Sequence, residues 1–398
     1  MKAIILYKKN MKIITDNKSL KKFCKSLDKQ KFITLDTEFV REKTFFPHLC
    51  LIQIGTARKS VVIDVLSEID DYSPLKDILI NESIVKVFHS ARQDLEAFYN
   101  LLKIIPKPLF DTQIAAMALG FGDSVSYQFL VQYYCKVALN KGQRLTDWTK
   151  RPLTDEQIDY ALSDVTYLIK VYKELDKKLT KLNRNDWIKD EMDYLISIDN
   201  YDINLDNAWE RLKAKSSSKQ YIANLQALAK FRDATAMKLD KPRKYIVPDE
   251  TLLEIALVNP KDEEGLKNIR SVQRKSDGSI KYGEEILDLL KNSDFENIIL
   301  PQRPSKEYLT KLSKLKPLTD MLKLLLNLKC SEAKVSSKLV ANHDDIDDIA
   351  VLGIKSKSKV LEGWRLDFFG KDALLLRAGK LTICYDNIKN KIVTEVKL

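Results

Sequence analysis

The run KFITLDTEFV at residues 31–40 constrains this chain more than any other stretch. Its β-branched and aromatic residues read as a strand, in which successive side chains alternate between two faces. Ile33, Leu35, Thr37 and Phe39 then share one face, and Asp36 and Glu38 share the other. Two carboxylates so placed repel and raise each other's pKa unless something positive lies between them. A hard divalent cation answers that need, because Mg²⁺ takes carboxylate oxygens and keeps waters for a substrate to displace. A solvated acidic pair on an exposed edge would look the same, so the motif decides nothing by itself.

The neighbouring segments extend the pattern. CLIQIG and SVVIDV are further β-rich runs separated by turn-like residues, which suggests antiparallel neighbours, and SIVKVFH is a fourth strand. SARQDLEAFYNLL then turns helical, with Ser90 placed as its N-cap and Asp94 in its first turn. An acid there also serves simply to complement the helix dipole. PLTDEQIDYALSDVTYLIKVYKEL reads as one long amphipathic helix, opened by a capping box of Thr154 and Gln157. Ile158, Leu162, Val165, Leu168 and Ile169 form its core stripe. Tyr160 and Asp164 are four residues apart and share a different face, where a plain surface pair would also fit.

From about residue 205 the pattern is helical with Pro and Gly breaks, giving two small helical modules behind the α/β domain. Residues 301–340 carry nine Lys/Arg against three Asp/Glu, and the whole chain of 398 residues has a net charge of +11. That balance favours a polyanionic partner such as nucleic acid, although a lysine-rich composition alone also produces it. Five scattered cysteines suit a reducing cytosol and argue against a zinc knuckle. With only three histidines, none suitably placed, a Ser-His-Asp mechanism is not credible. The opening MKAIILYKKN is too short in its apolar run for a signal peptide, and no window reaches the apolar length of a membrane span. Residues 1–10 read as an upstream-start extension before Met11.

Taken together, Asp-x-Glu on a strand, Asp at a helix start and Tyr-x₃-Asp on a capped late helix resemble the tyrosine-type DEDD 3′→5′ exonucleases. Within them LDTEFVREKTFFPHLCLIQIG, LFDTQIAAMALG and LTDWTKRPLTDEQIDYALSDVTYL are similar to ribonuclease D segments. LQALAKFRDATAMKLDKPRKYIVPDETLLEIALVNP resembles an HRDC domain, and GWRLDFFGKDALLLRAGKL is similar to the ribonuclease D carboxy-terminal end. The resemblance implies an α/β ribonuclease H-like exonuclease domain followed by all-α HRDC helical modules. Its boundaries would be 11–200, 205–292 and, for a second and divergent module with the tail, 300–398.

The resemblance further implies that Asp36, Glu38, Asp94 and Asp164 hold two divalent cations, Mg²⁺ or Mn²⁺, while Tyr160 orients the attacking water. The substrate would be RNA, in particular the 3′ extensions of tRNA precursors, and the product a nucleoside 5′-monophosphate. A 3′→5′ DNA exonuclease and a non-catalytic RNA-binding protein on the same fold are the alternatives. Thr37, Phe39, His89, Arg144 and Arg151 are candidate substrate contacts, although alternation turns Thr37 and Phe39 away from the acids. Arg41, Lys43 and Lys141 are further candidates for phosphates, as is the basic turn of Lys241, Arg243 and Lys244. A cytoplasmic monomer without membrane contact or obligate protein partner is the expectation.

Overall fold

The computed structural model describes residues 13–140, 142–143, 145–293, 298, 300 and 304–397. The expectation for residues 1–10 lies outside them. The chain divides into two compact units. The first contains a six-stranded sheet of β1 (Ile13–Ile14), β2 (Phe32–Val40), β3 (His48–Gly55), β4 (Ser60–Asp64), β5 (Val85–Phe88) and β6 (Leu109–Asp111). Their spatial order is β1-β4-β3-β2-β5-β6. β3 and β4 are antiparallel, with Gly55 opposite Ser60. β5 runs parallel to both β2 and β6, so the carboxyl ends of β2 and β5 lie side by side. In sheets of this kind ligands bind beyond those ends.

The helices around the sheet are α1 (Asn17–Lys25), α2 (Ser73–Ile80), α3 (Arg92–Leu102), α4 (Thr112–Ala118), α5 (Tyr127–Cys135), α6 (Asp155–Thr166), α7 (Leu168–Lys181) and α8 (Asn185–Ile196). Close approach fixes α6. The Thr34 hydroxyl donates to the Val165 carbonyl at 2.7 Å. A Cβ at Gly55 would stand 2.8 Å from the same carbonyl oxygen, so glycine is what lets the helix settle onto β2 and β3. The capping box of Thr154 and Gln157 forms as the sequence suggests. The single long helix does not: it divides at Tyr167 into α6 and α7. Ser163 and Thr166 give their hydroxyls to the carbonyls of Tyr160 and Leu162 at 2.7 Å, back-bonding of the kind that bends helices.

The first unit also takes in the chain from Pro304 on. The Arg365 guanidinium donates to Asp190 at 2.6 Å and Glu191 at 2.9 Å, and Trp364 stacks on Trp187 with centroids 4.3 Å apart. Ser336 donates its N–H to the Met117 carbonyl at 2.9 Å. An antiparallel hairpin, Leu381–Asp386 with Lys391–Val396, closes the described chain.

The second unit joins Phe39–Leu49 to the chain from Tyr201 to Arg303. Its core gathers Trp209, Tyr221, Leu225, Leu228, Ile246, Leu252 and Ile286, together with Phe45 from the segment that follows Glu38. The Asp240 carboxylate accepts the N–H groups of Phe45 (3.0 Å) and Phe46 (3.1 Å). The Arg243 guanidinium lies 4.4 Å from the Phe45 ring centroid.

Candidate active site

The acids converge from three elements at the carboxyl edge of the sheet. Asp36 and Glu38 come from β2, and Asp164 comes from α6, whose register Thr34 and Gly55 hold. Their ligand oxygens lie within 4.8 Å of one another. Asp94, on α3, is outside that trio. Its carboxylate accepts the Thr37 hydroxyl at 2.5 Å, so the side chain that alternation turns off the acidic face secures the fourth acid instead.

Ser90 does not cap α3. It takes a left-handed backbone (φ +63), and its N–H and that of Ala91 donate to the Asp111 carboxylate at 2.9 and 2.7 Å. The same carboxylate accepts the Gln113 N–H at 2.8 Å, so one buried acid at the end of β6 orders the starts of α3 and α4 together. A reading of α3 in isolation has no access to this cap, because it arrives from another strand.

The electrostatics match the crowding. Burial, followed by the charges of Asp94, Asp164 and Glu38, pushes Asp36 well above the usual carboxylate range. Glu38 is raised to about 9 by burial and then by Asp164 and Asp94. Burial and Asp94 lift Asp164 to about 7, against a hydrogen bond with Tyr160 that lowers it. Asp94 also reaches about 7 through burial, opposed by the Thr37 hydrogen bond. A cluster of oxygen donors held together against mutual repulsion fits a hard divalent cation, since that charge removes the repulsion. Tyr160 is backed by Trp148, with ring centroids 6.1 Å apart.

The other candidates are placed differently. Phe39 is half-buried, one residue beyond Glu38. His89 hydrogen-bonds Thr112 through Nδ1 at 3.0 Å, its ring is 5.7 Å from that of Tyr127, and burial lowers its pKa. Arg151 holds Asp64 through two bonds of 2.6 Å and also donates to the Trp148 and Lys150 carbonyls at 2.8 Å. Its guanidinium thus serves the fold through these bonds. Arg144 and Lys141 lie outside the described residues. In the second unit Arg243 donates to Asp233 at 2.9 Å.

Sequence reasoning passed over Asp111, Trp148 and Tyr127. The Tyr127 hydroxyl donates to the Ser163 carbonyl at 2.9 Å, beside Asp164, and burial with the Asp164 and Asp36 charges holds its pKa above the phenol range. An aspartate just before Thr112 at a strand–helix junction was the available signal for Asp111.

A mixed sheet bearing crowded acids at the carboxyl ends of its parallel strands defines a hydrolytic nuclease domain. A family model described as 3′-5′ exonuclease matches residues 11–180, and one described as HRDC domain matches residues 222–290. Ribonuclease D of Bartonella henselae is 40% identical over 383 residues, covering 96% of this chain and 94% of its own. That of Sphingobium indicum is 39% identical over 382 residues, covering 96% and 98%. The Escherichia coli RNase D crystal structure, of an exoribonuclease involved in structured RNA processing, superposes with TM-score 0.75 at 28% identity over 93% of this chain and 99% of its own. The chain belongs to the ribonuclease D family. It is a 3′→5′ exoribonuclease, with a ribonuclease H-like α/β sheet domain and a helical HRDC domain. The DNA exonuclease and the non-catalytic binding protein are not favoured, since the relatives share both the name and nearly the whole length.

Proposed function

We propose that the chain uses two divalent cations, Mg²⁺ or Mn²⁺, to trim 3′ extensions from precursor tRNA and other small structured RNAs in the cytoplasm, releasing nucleoside 5′-monophosphates. The observation that carries this reading is the set of Asp36, Glu38 and Asp164 oxygens within 4.8 Å of one another, with Asp94 electrostatically coupled to them. These four acids would hold the cations. Once bound, the cations supply an activated water and neutralise charge developing on the phosphodiester.

The protein's own contributions follow from the contacts. Tyr160, hydrogen-bonded to Asp164 and backed by Trp148, holds the attacking water by its hydroxyl. Thr37 gives its hydroxyl to Asp94 and so fixes that carboxylate. The HRDC domain and the basic stretch 301–340 add phosphate contacts that weaken with salt. Among the described residues no helix is long and apolar enough to cross a membrane.

The test is degradation of a 5′-labelled, 3′-extended tRNA transcript in Mg²⁺, Mn²⁺ or EDTA. Stepwise shortening that stops near the mature end, and that EDTA abolishes, is expected. Equal shortening in EDTA would remove the cations from the mechanism. Complete indifference to the tRNA body would remove the precursor as substrate.

A further inference from the structure

We propose that the outer face of α5 is a stacking platform for single-stranded RNA upstream of the 3′ end, a reading that rests on the exoribonuclease activity above. α5 has two faces. Leu130 and Val131 are fully buried on the inner one, beside Tyr127, whose hydroxyl reaches the Ser163 carbonyl next to Asp164. Phe129 and Tyr133 stand on the other, 51% and 46% exposed, although their inner neighbours already anchor the helix. They lie one turn apart, with ring planes 18° from parallel and centroids 6.2 Å apart. Phe121, from the preceding loop, packs edge-on against Tyr133 at 5.1 Å and fixes its orientation.

Two ammonium groups lie beside these rings, with one carboxylate, Glu174 on α7, near Tyr134. The Lys136 ammonium lies 5.6 Å from the Tyr133 ring centroid, and that of Lys178 on α7 lies 5.4 Å away. Lys178 also donates to the Tyr134 hydroxyl at 3.1 Å, which holds its charge at the edge of the rings. Exposed rings with ammonium groups beside them are what a single strand needs: a π-face for each base and a cation for the phosphate. Charge complementarity therefore selects a polyanion over an apolar protein surface. Across the helix from Tyr127, the rings sit about one helix diameter, ~10 Å, from the acid side. That is more than one nucleotide, so the platform grips chain that is not being cut.

The experiment uses the full chain and two RNAs, a fifteen-nucleotide oligoadenylate and a dinucleotide. Binding of the longer RNA is read by fluorescence anisotropy in EDTA, and turnover of both in Mn²⁺. Phe129→Ala with Tyr133→Ala should weaken binding of the longer RNA at least about tenfold, the scale of one lost stacked base. KM for the dinucleotide should stay within twofold. Phe129→Leu with Tyr133→Leu keeps apolar surface without a π-face and should lose as much; Phe129→Tyr with Tyr133→Phe should lose nothing. Unchanged binding of the longer RNA in the alanine pair, full binding in the leucine pair, or an equal loss with the dinucleotide each overturns the platform. Absence of any RNA shortening by the wild-type protein would instead overturn the exoribonuclease reading beneath it.

Discussion

Two groups of charge, one in each unit, are built on opposite principles. In the second unit Asp233 is wholly buried, yet it receives Arg243 (2.9 Å), Arg232 (3.2 Å) and Arg211. Burial alone would raise its pKa, but the Arg211 and Arg243 hydrogen bonds and charges outweigh it and hold the carboxyl below its usual range. In the first unit Asp94 is buried and Asp36, Glu38 and Asp164 are half-buried, and all four are pushed upward. The first arrangement carries its compensation within the fold. The second leaves it to a ligand, and like charges kept together with little access to water are the physical mark of a site that binds something positive.

The largest effect that would break this contrast is on rate. Asp36→Asn removes a charge that the proposed cations need, which costs several kcal/mol of transition-state stabilisation, on the order of a thousandfold in rate. Single-turnover degradation of a 3′-extended RNA measures it. The same variant should melt no lower than wild type in EDTA, because the substitution relieves repulsion. A lower melting temperature would mean that Asp36 is structural.

Asp233→Asn tests the other side. It leaves three guanidinium groups, one of them on the buried Arg232, without their shared anion. Breaking a buried pair from one side costs roughly 3–5 kcal/mol, so urea unfolding should show the second unit destabilised by that order. A loss below about 1 kcal/mol would place Asp233 with surface pairs, whose worth is that small.

Much of the contrast was legible in the sequence, and its limits were physical. Alternation on β2 and the four-residue spacing of Tyr160 and Asp164 are local rules, so they put three acids and the tyrosine on defined faces before any tertiary structure was known. Thr37 shows where alternation stops helping: it assigns the side chain a face, but only the placement of α3 shows that the hydroxyl meets Asp94. Asp111 was missed for the same reason, since it caps two helices from a strand apart from both. The break at Tyr167 depends on hydroxyls that return to the helix's own carbonyls, which a hydrophobic stripe does not reveal. Phe45 reads as part of an exonuclease motif, yet its ring lies in the core of the other unit.

pH sharpens the comparison with a smaller effect of opposite sign in the two units. Glu38 moves from an ordinary 4.5 to about 9 on folding. Between those values the folded metal-free protein keeps a proton that the unfolded chain has lost, so stability falls as pH rises through that window. Asp233, lowered from 3.8, contributes stability that is present above that value and lost as pH falls below it. Urea midpoints in EDTA between pH 6 and 9 should therefore decline for wild type and decline less for Glu38→Gln. Identical slopes for the two proteins would show that Glu38 does not titrate there. Mn²⁺ should flatten the wild-type curve, since a bound cation favours the ionised acids at every pH.

The smallest expected effect concerns a contact in the acid cluster that resembles the satisfied carboxylate of the other unit. Thr37 gives Asp94 a neutral donor where Asp233 has three cations. Thr37→Val keeps the shape on β2 and removes only the hydroxyl. Partners that orient a metal ligand are typically worth about 10- to 100-fold in affinity or activity, and one neutral hydrogen bond belongs at the lower end, about tenfold. Asp94 would also lose the interaction that opposes its upward shift from burial, so the acidic limb of the pH–rate profile should move to higher pH. Thr37→Ser restores the donor without the methyl group and should recover both the rate and the limb. Recovery of rate without the limb would separate the packing of Thr37 from its hydrogen bond, and would show that Asp94 is held by its helix rather than by the strand beside it.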